Sequence, residues 1–394
     1  MLRPSLKRAQ HADAPTARLT ACFENRARRS ILIGVRRWLV GVVALCLVLT
    51  ACGGESAEQS RILFLRGAPT QLFVHNLETG EEQQLTNAAE GVFSYVASGE
   101  QAITVQDRAD GGADLWLVDV NGGESEQILD CADVRCDQPF WSADGRRVVY
   151  VRRSLLGEEP RVYWLDSATG DTVPVFTDNE LFGYAPRLSA DDRYLSFVTQ
   201  PPASELLPPG HSPSDGHDHS LQLNTQRVTL YDFETGKQIV VPNRMSSAAT
   251  WQPDSTKLLV TDLQLFGERL GIHLLLIDAE SGEVDDISEV RLVEDGTPDW
   301  SADGDQLVFT RALASTAMGR QLWTMSPDGS GQQQLTNDAN IHHGQPTWSA
   351  DGSRILLQTF DTTRSDVPPQ IVIYDVETGE MRPIVEGNRP SWVE

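Results

Sequence analysis

Positive charge is scarce in this 394-residue chain: 32 lysines and arginines stand against 56 aspartates and glutamates, a formal net charge of −24. Such a surface repels the phosphates of nucleic acids and of anionic headgroups, so charge alone excludes a nucleic-acid-binding role. Cysteine is scarcer still, with only Cys22, Cys46, Cys52, Cys131 and Cys136. Cys131 and Cys136 have no second pair beside them to complete a four-ligand zinc site. No Gly-x-Ser-x-Gly elbow, His-Glu-x-x-His motif or phosphate-cradling glycine-rich loop occurs, which leaves the common hydrolase, metalloprotease and nucleotide-binding chemistries without a signature. Long apolar runs are missing apart from residues 38–51, whose helix would rise about 21 Å, short of a ~30 Å hydrocarbon core. What the chain does have is turn material, 31 glycines and 21 prolines, beside 40% hydrophobic residues. That is a loop-rich globular composition with enough apolar side chains for a sizeable core.

The one apolar run follows Arg36 and Arg37 and ends in Leu49-Thr50-Ala51-Cys52. A basic flank, an apolar stretch and small residues at the cut describe a secretory signal, and the last four residues resemble a bacterial lipobox, in which the cysteine is lipidated. We therefore expect residues 1–51 to be a signal region, with 1–34 upstream of the true start. Cys52 is then the lipidated first residue and 52–55 a short tether. A plain signal peptide and a membrane-spanning anchor are the alternatives. The expected location is extracytoplasmic, lipid-anchored to the cell membrane or outer membrane. The removed part holds nine Lys or Arg and two Asp or Glu, so the mature chain is more acidic still. In that oxidising compartment Cys131 and Cys136 read as a local disulfide, with two free thiols as the other possibility.

Internal similarity carries the strongest signal. Trp141-Ser142-Ala143-Asp144-Gly145 returns at Trp300 and at Trp348, with weaker copies at Tyr95, Leu188 and Trp251. Successive anchors stand 46 to 49 residues apart, with a single longer spacing of 63. The Asp-Gly pair suits a tight hairpin. An unalternating apolar run follows each, such as Val148-Val149-Tyr150-Val151 or Ile355-Leu356-Leu357, which implies a strand covered on both faces. A second hairpin, ending in a glycine turn such as Gly80, Gly170 or Gly379, recurs seven times. Arg389-Pro390-Ser391-Trp392 matches Gln345-Pro346-Thr347-Trp348, and residues 56–65 supply the part of that repeat missing at the C-terminus.

These motifs resemble the PD40 (WD40-like) repeats of the TolB-type propellers, over residues 55–394. The expected fold is all-β: a single β-propeller of seven four-stranded blades, closed by pairing of the N- and C-terminal strands, with six and eight blades as the neighbouring counts. It spans 56–394 and carries an insertion at about 200–226. Alternating hairpins put short turns on one rim and the long connections on the other. Length concentrates function on the long-loop rim, which the tether from residue 56 turns away from the membrane.

Within the insertion, His211, His217 and His219 with one carboxylate of the stretch 211–219 have the donor types for a divalent cation, against a solvated loop with nothing to preorganise them. His342 and His343, placed just before an inner strand, are candidate ligand contacts, or merely polar loop residues. The repeated tryptophans read as packing, and Asp144, Asp303 and Asp351 as turn residues. No cofactor and no catalytic residue are implied. The expected role is a monomeric membrane-anchored scaffold for an envelope protein or peptide, and the alternative is a propeller that binds or cleaves glycans, as a lyase or glycosidase.

Overall fold

The computed structural model describes residues 59–122, 125–177, 181–199, 226–245, 249–313 and 318–393. Cys52, His211, His217 and His219 lie outside them, as does most of the insertion. The described residues hold 28 β-strands and no helix, so no helix there is long and apolar enough to cross a membrane.

The strands run as successive antiparallel meanders of four. Arg61–Arg66, Gln71–Asn76 and Glu82–Gln84 form one sheet, completed on its inner edge by Asn388–Trp392 from the other end of the chain. Ile62 pairs with Trp392 and Leu63 with Ser391. Two further sheets stand alone, and the remaining meanders join in twos through single parallel bridges, Ala113 to Arg135 and Ile272 to Glu294.

The second strand of each meander explains the unalternating runs. Ile62, Leu63, Phe64 and Leu65 are all buried, because alternate residues face different neighbours. Leu63 and Leu65 pack with Ala102 and Val118 of the next sheet. Ile62 and Phe64 pack with Leu356, Ile371 and Ile373 of the last. The same exchange links Ile103 to Val148 and Tyr150, Val149 to Leu195 and Phe197, and Leu230 to Leu258 and Val260. Leu259 with Phe309 and Val308 with Leu357 complete the circuit, so the sheets close into a ring. Each such side chain contributes about 1.5–3 kcal/mol by burial.

The Asp-Gly motif is a self-satisfied turn. The Ser142 hydroxyl donates to Asp144 (2.7 Å) and accepts the Arg147 N–H (3.0 Å), while Asp144 accepts the Arg146 N–H (3.0 Å). Gly145 has φ 65°, the left-handed conformation glycine adopts without cost. Ser301 with Asp303 and Ser349 with Asp351 repeat the arrangement. The hydroxyl of Ser142 holds the Asp144 carboxyl below the usual carboxylate range, as Ser301 does for Asp303.

Residues within 262–271 belong to a long hairpin, Lys257–Phe266 against Arg269–Asp278, paired through to Phe266 and Arg269. Cys131 and Cys136 are joined as a disulfide with Cα atoms 6.1 Å apart. The pair fixes the start of the inner strand Val134–Trp141, and the Cys131 N–H is held by Asp114 at 2.9 Å.

Candidate binding site in the central channel

The innermost strands include Val92–Ser98, Val134–Trp141, Tyr184–Leu188, Val293–Trp300, Ile341–Trp348 and Asn388–Trp392. Five inner strands carry a proline two residues before the Trp or Leu anchor: Pro139, Pro186, Pro298, Pro346 and Pro390. The residue before each proline has a positive φ: Gln138 53°, Ala185 53°, Thr297 45°, Gln345 49° and Arg389 50°. Pairing with the second strand slips at the same place, between Asp137 and Phe140, Tyr184 and Arg187, Gly296 and Asp299, and Gly344 and Thr347. These are β-bulges, and proline suits them because a bulge leaves no ladder acceptor for the N–H it lacks. A left-handed non-glycine residue costs about 1–2 kcal/mol, and such strain persists where the surrounding structure over-determines it.

The bulges set what reaches the channel. Arg187, Asp299, Thr347 and Ser391, each directly after its proline, line one cavity of about 800 Å³ together with Ser94 and Tyr95. Gln59, Ser98, Gly99, Ala302 and Ala350 also line it. They lie at the turns between first and second strands, so the cavity opens on the short-turn rim.

Neighbouring inner strands are tied by the anchor residues. The indole N–H of Trp251 donates to the Arg187 carbonyl (3.1 Å), that of Trp300 to Thr250 (3.3 Å) and that of Trp392 to Thr347 (3.2 Å). The indoles of Trp141 and Trp348 find no acceptor among the described residues. Tyr95 takes the anchor position in its own sheet, and its hydroxyl lies 2.6 Å from the Arg389 carbonyl and 3.0 Å from the Ser391 hydroxyl. Burial pushes that phenol well above its ordinary range. Three of the tryptophans are thus more than packing, because each ties an inner-strand carbonyl to the neighbouring sheet.

Two charged residues dominate the channel. Asp299 accepts the Trp348 N–H at 3.0 Å, and burial pushes its carboxyl up to about 6. Burial alone pushes the Arg187 guanidinium down to about 10. It lies 5.0 Å from the Phe140 ring and donates to the Pro186 carbonyl at 2.7 Å.

No family model matches this chain, and no curated protein does. Solved structures do. An oligogalacturonate lyase in complex with manganese superposes with TM-score 0.60 at 17% identity, covering 84% of this chain and 86% of that one. The β-propeller domain of the Trilobed protease from Pyrococcus furiosus gives TM-score 0.56 at 11% identity, over 84% and 94%. TolB from Acinetobacter baumannii gives 0.46 at 15% identity, over 85% and 83%.

The chain is a β-propeller.

In this propeller His342 and His343 are not loop residues. They sit inside the inner strand Ile341–Trp348, at the end away from the cavity. His343 is 1% exposed, with Nδ1 2.9 Å from the Arg320 carbonyl. Burial lowers its pKa, so the neutral ring donates to that carbonyl and serves the fold. His342 packs edge-on against Phe360. Among the described residues no group of three or more His, Cys, Asp or Glu is placed to hold a metal ion.

The long-loop rim, where length pointed, presents a cleft around Phe93, Arg108 and Arg135. Phe93 there is covered by the guanidiniums of Arg135 (4.5 Å) and Arg389 (5.5 Å). The buried Arg311–Asp295 pair, with Nε 2.6 Å from Oδ1 and Nη2 2.7 Å from Oδ2, is structural: Ser288 and Gln332 satisfy its remaining groups.

Proposed function

We propose that this chain is an exported, lipid-anchored propeller of seven blades that holds an extended segment of an envelope protein or peptide in its central channel. The count takes each four-stranded meander as one blade and splits the two larger sheets at their single parallel bridges. The observation that supports the binding role is the shared construction of the channel. Repeated bulges, each left-handed at a non-glycine residue, bring Arg187, Asp299, Thr347 and Ser391 to one polar cavity. A ring that needed only to pack would have no use for that strain.

That Gln59, the first described residue, lines the cavity supports a tether from an acylated Cys52 on the rim where the cavity opens. The propeller acts as a monomer, its first sheet already completed by its own C-terminal strand.

Affinity capture from detergent-solubilised envelopes, run beside a glycan array, tests this reading. A reproducible protein partner with no glycan signal supports it, and saturable glycan binding or cleavage without a protein partner overturns it. The glycan-active alternative draws on the likeness in fold to a lyase solved with manganese. A cation site for it would have to come from His211, His217 and His219.

A further inference from the structure

We infer that Arg187 anchors a carboxylate subsite in the channel, so that the bound segment is held by a single carboxylate group. The inference rests on the channel-binding reading above and names the chemistry by which the channel would take its ligand.

Arg187 carries five N–H donors, and the only acceptor they meet among the described residues is the Pro186 carbonyl. The side chain borders the 800 Å³ cavity, with no carboxylate of the described residues in ion-pair contact. Most other arginines with buried or half-buried surroundings are matched. Arg311 has Asp295, Arg108 has Asp114 and Arg193 has Asp232. In a chain with 56 acidic residues, a half-buried guanidinium with no carboxylate partner among the described residues stands apart from these three. Desolvating a cation is costly unless it is paired, and burial accordingly lowers the pKa of this guanidinium.

The charge balance of the cavity narrows the ligand. Its lining holds Arg187, Arg389 and Asp299 as charged residues, a net positive pocket inside a chain of net charge −24. Arg389 is already committed to the Phe93 carbonyl at 2.6 Å, which leaves Arg187 as the open cation. A polyanion would meet the acidic exterior, and a dianionic phosphate would meet Asp299 within the pocket. A single carboxylate meets one guanidinium, and Arg matches its two oxygens in a bidentate fork. The hydroxyls of Ser94, Thr347 and Ser391 around it suit the amides of a peptide. The carboxylate comes from a free C-terminus or from an acidic side chain.

The test is ligand-observed NMR on the detergent-solubilised full chain with four probes: acetyl-trialanine as free acid, the same peptide as its amide, acetyl-Ala-Asp-Ala-amide, and sodium acetate. The expected result is at least tenfold tighter binding of the free acid or of the aspartyl peptide than of the neutral amide, with the tighter of the two identifying the source. In Arg187→Gln the ratio of acid to amide affinity falls to about one, and Arg187→Lys keeps part of it. The wild-type contrast between acid and amide needs no variant, so misfolding of Arg187→Gln leaves the test intact. Equal binding of acid and amide overturns the subsite and leaves the peptide reading standing. Binding of acetate without any peptide supports the subsite and sinks the peptide reading, and a wild-type channel that binds none of the probes sinks both.

Discussion

Asp299 offers a prediction that can be worked through from the structure. Its carboxyl, enclosed between the Trp348 N–H and the cavity, is raised from 3.8 to about 6 by burial. A raised folded-state pKa means the folded protein holds this proton more tightly than the unfolded chain. The stability this contributes is full below pH ~4 and is lost as pH rises through ~6. About two pKa units correspond to ~3 kcal/mol, an upper bound because the side chain borders the cavity. Asp299→Asn removes the titration and keeps an oxygen to accept the Trp348 N–H. We therefore expect Asp299→Asn to be more stable than wild type at pH 7.5 by up to ~3 kcal/mol, or about 4 °C in Tm for a domain of this size. The gap should close towards pH 4. Thermal unfolding of both proteins from pH 4 to 8 measures it, and the difference cancels every other titrating group. A variant that melts at or below wild type at pH 7.5, or a gap that stays constant with pH, refutes the assignment of Asp299 as a buried, charge-strained carboxylate.

Other substitutions test the supports of the channel. Arg311→Met leaves the buried Asp295 carboxylate unpaired and should cost about 3–5 kcal/mol in urea unfolding; a cost under 1 kcal/mol would show the pair to be solvated. Tyr95→Phe removes the hydroxyl that ties its sheet to the closing strand and should cost about 1–3 kcal/mol, with faster hydrogen exchange at residues 388–392. Replacing both Cys131 and Cys136 by serine opens a short loop and should cost about 2 kcal/mol; unchanged stability under reduction would contradict a formed bond.

Much of the ring was legible because its turns and strands repeat in residue type. The Ser-x-Asp-Gly turns state their own hydrogen bonds, and runs such as Leu307-Val308-Phe309 have no polar face because each side chain meets a sheet on one side or the other. The bulges were not read, although the signal was present: proline stands two residues before Trp141, Leu188, Trp300, Trp348 and Trp392. Proline inside a strand pattern ordinarily argues against a strand, so its recurrence pointed away from the feature it marks. The channel residues were hidden for a different reason. Arg187, Asp299, Thr347 and Ser391 occupy one position of the repeat yet range from a cation through hydroxyls to a carboxylate, so no motif links them, and only the ring brings them together. Loop length pointed to the opposite rim because it records tolerance to insertion, which says nothing about a cavity built from strands. His342 and His343 lie inside the inner strand rather than before it, and the contacts of His343 with Arg320 and of His342 with Phe360 are announced by no local pattern.

Site-specific photocrosslinking in intact envelopes tests the central claim most directly. A benzophenone side chain at Ser98, on the rim of the cavity, should capture one discrete protein partner, and the same group at Leu156, 94% exposed on the long-loop rim, should capture none. Adducts at position 156 with none at position 98 would contradict it, placing the ligand on the other face of the ring.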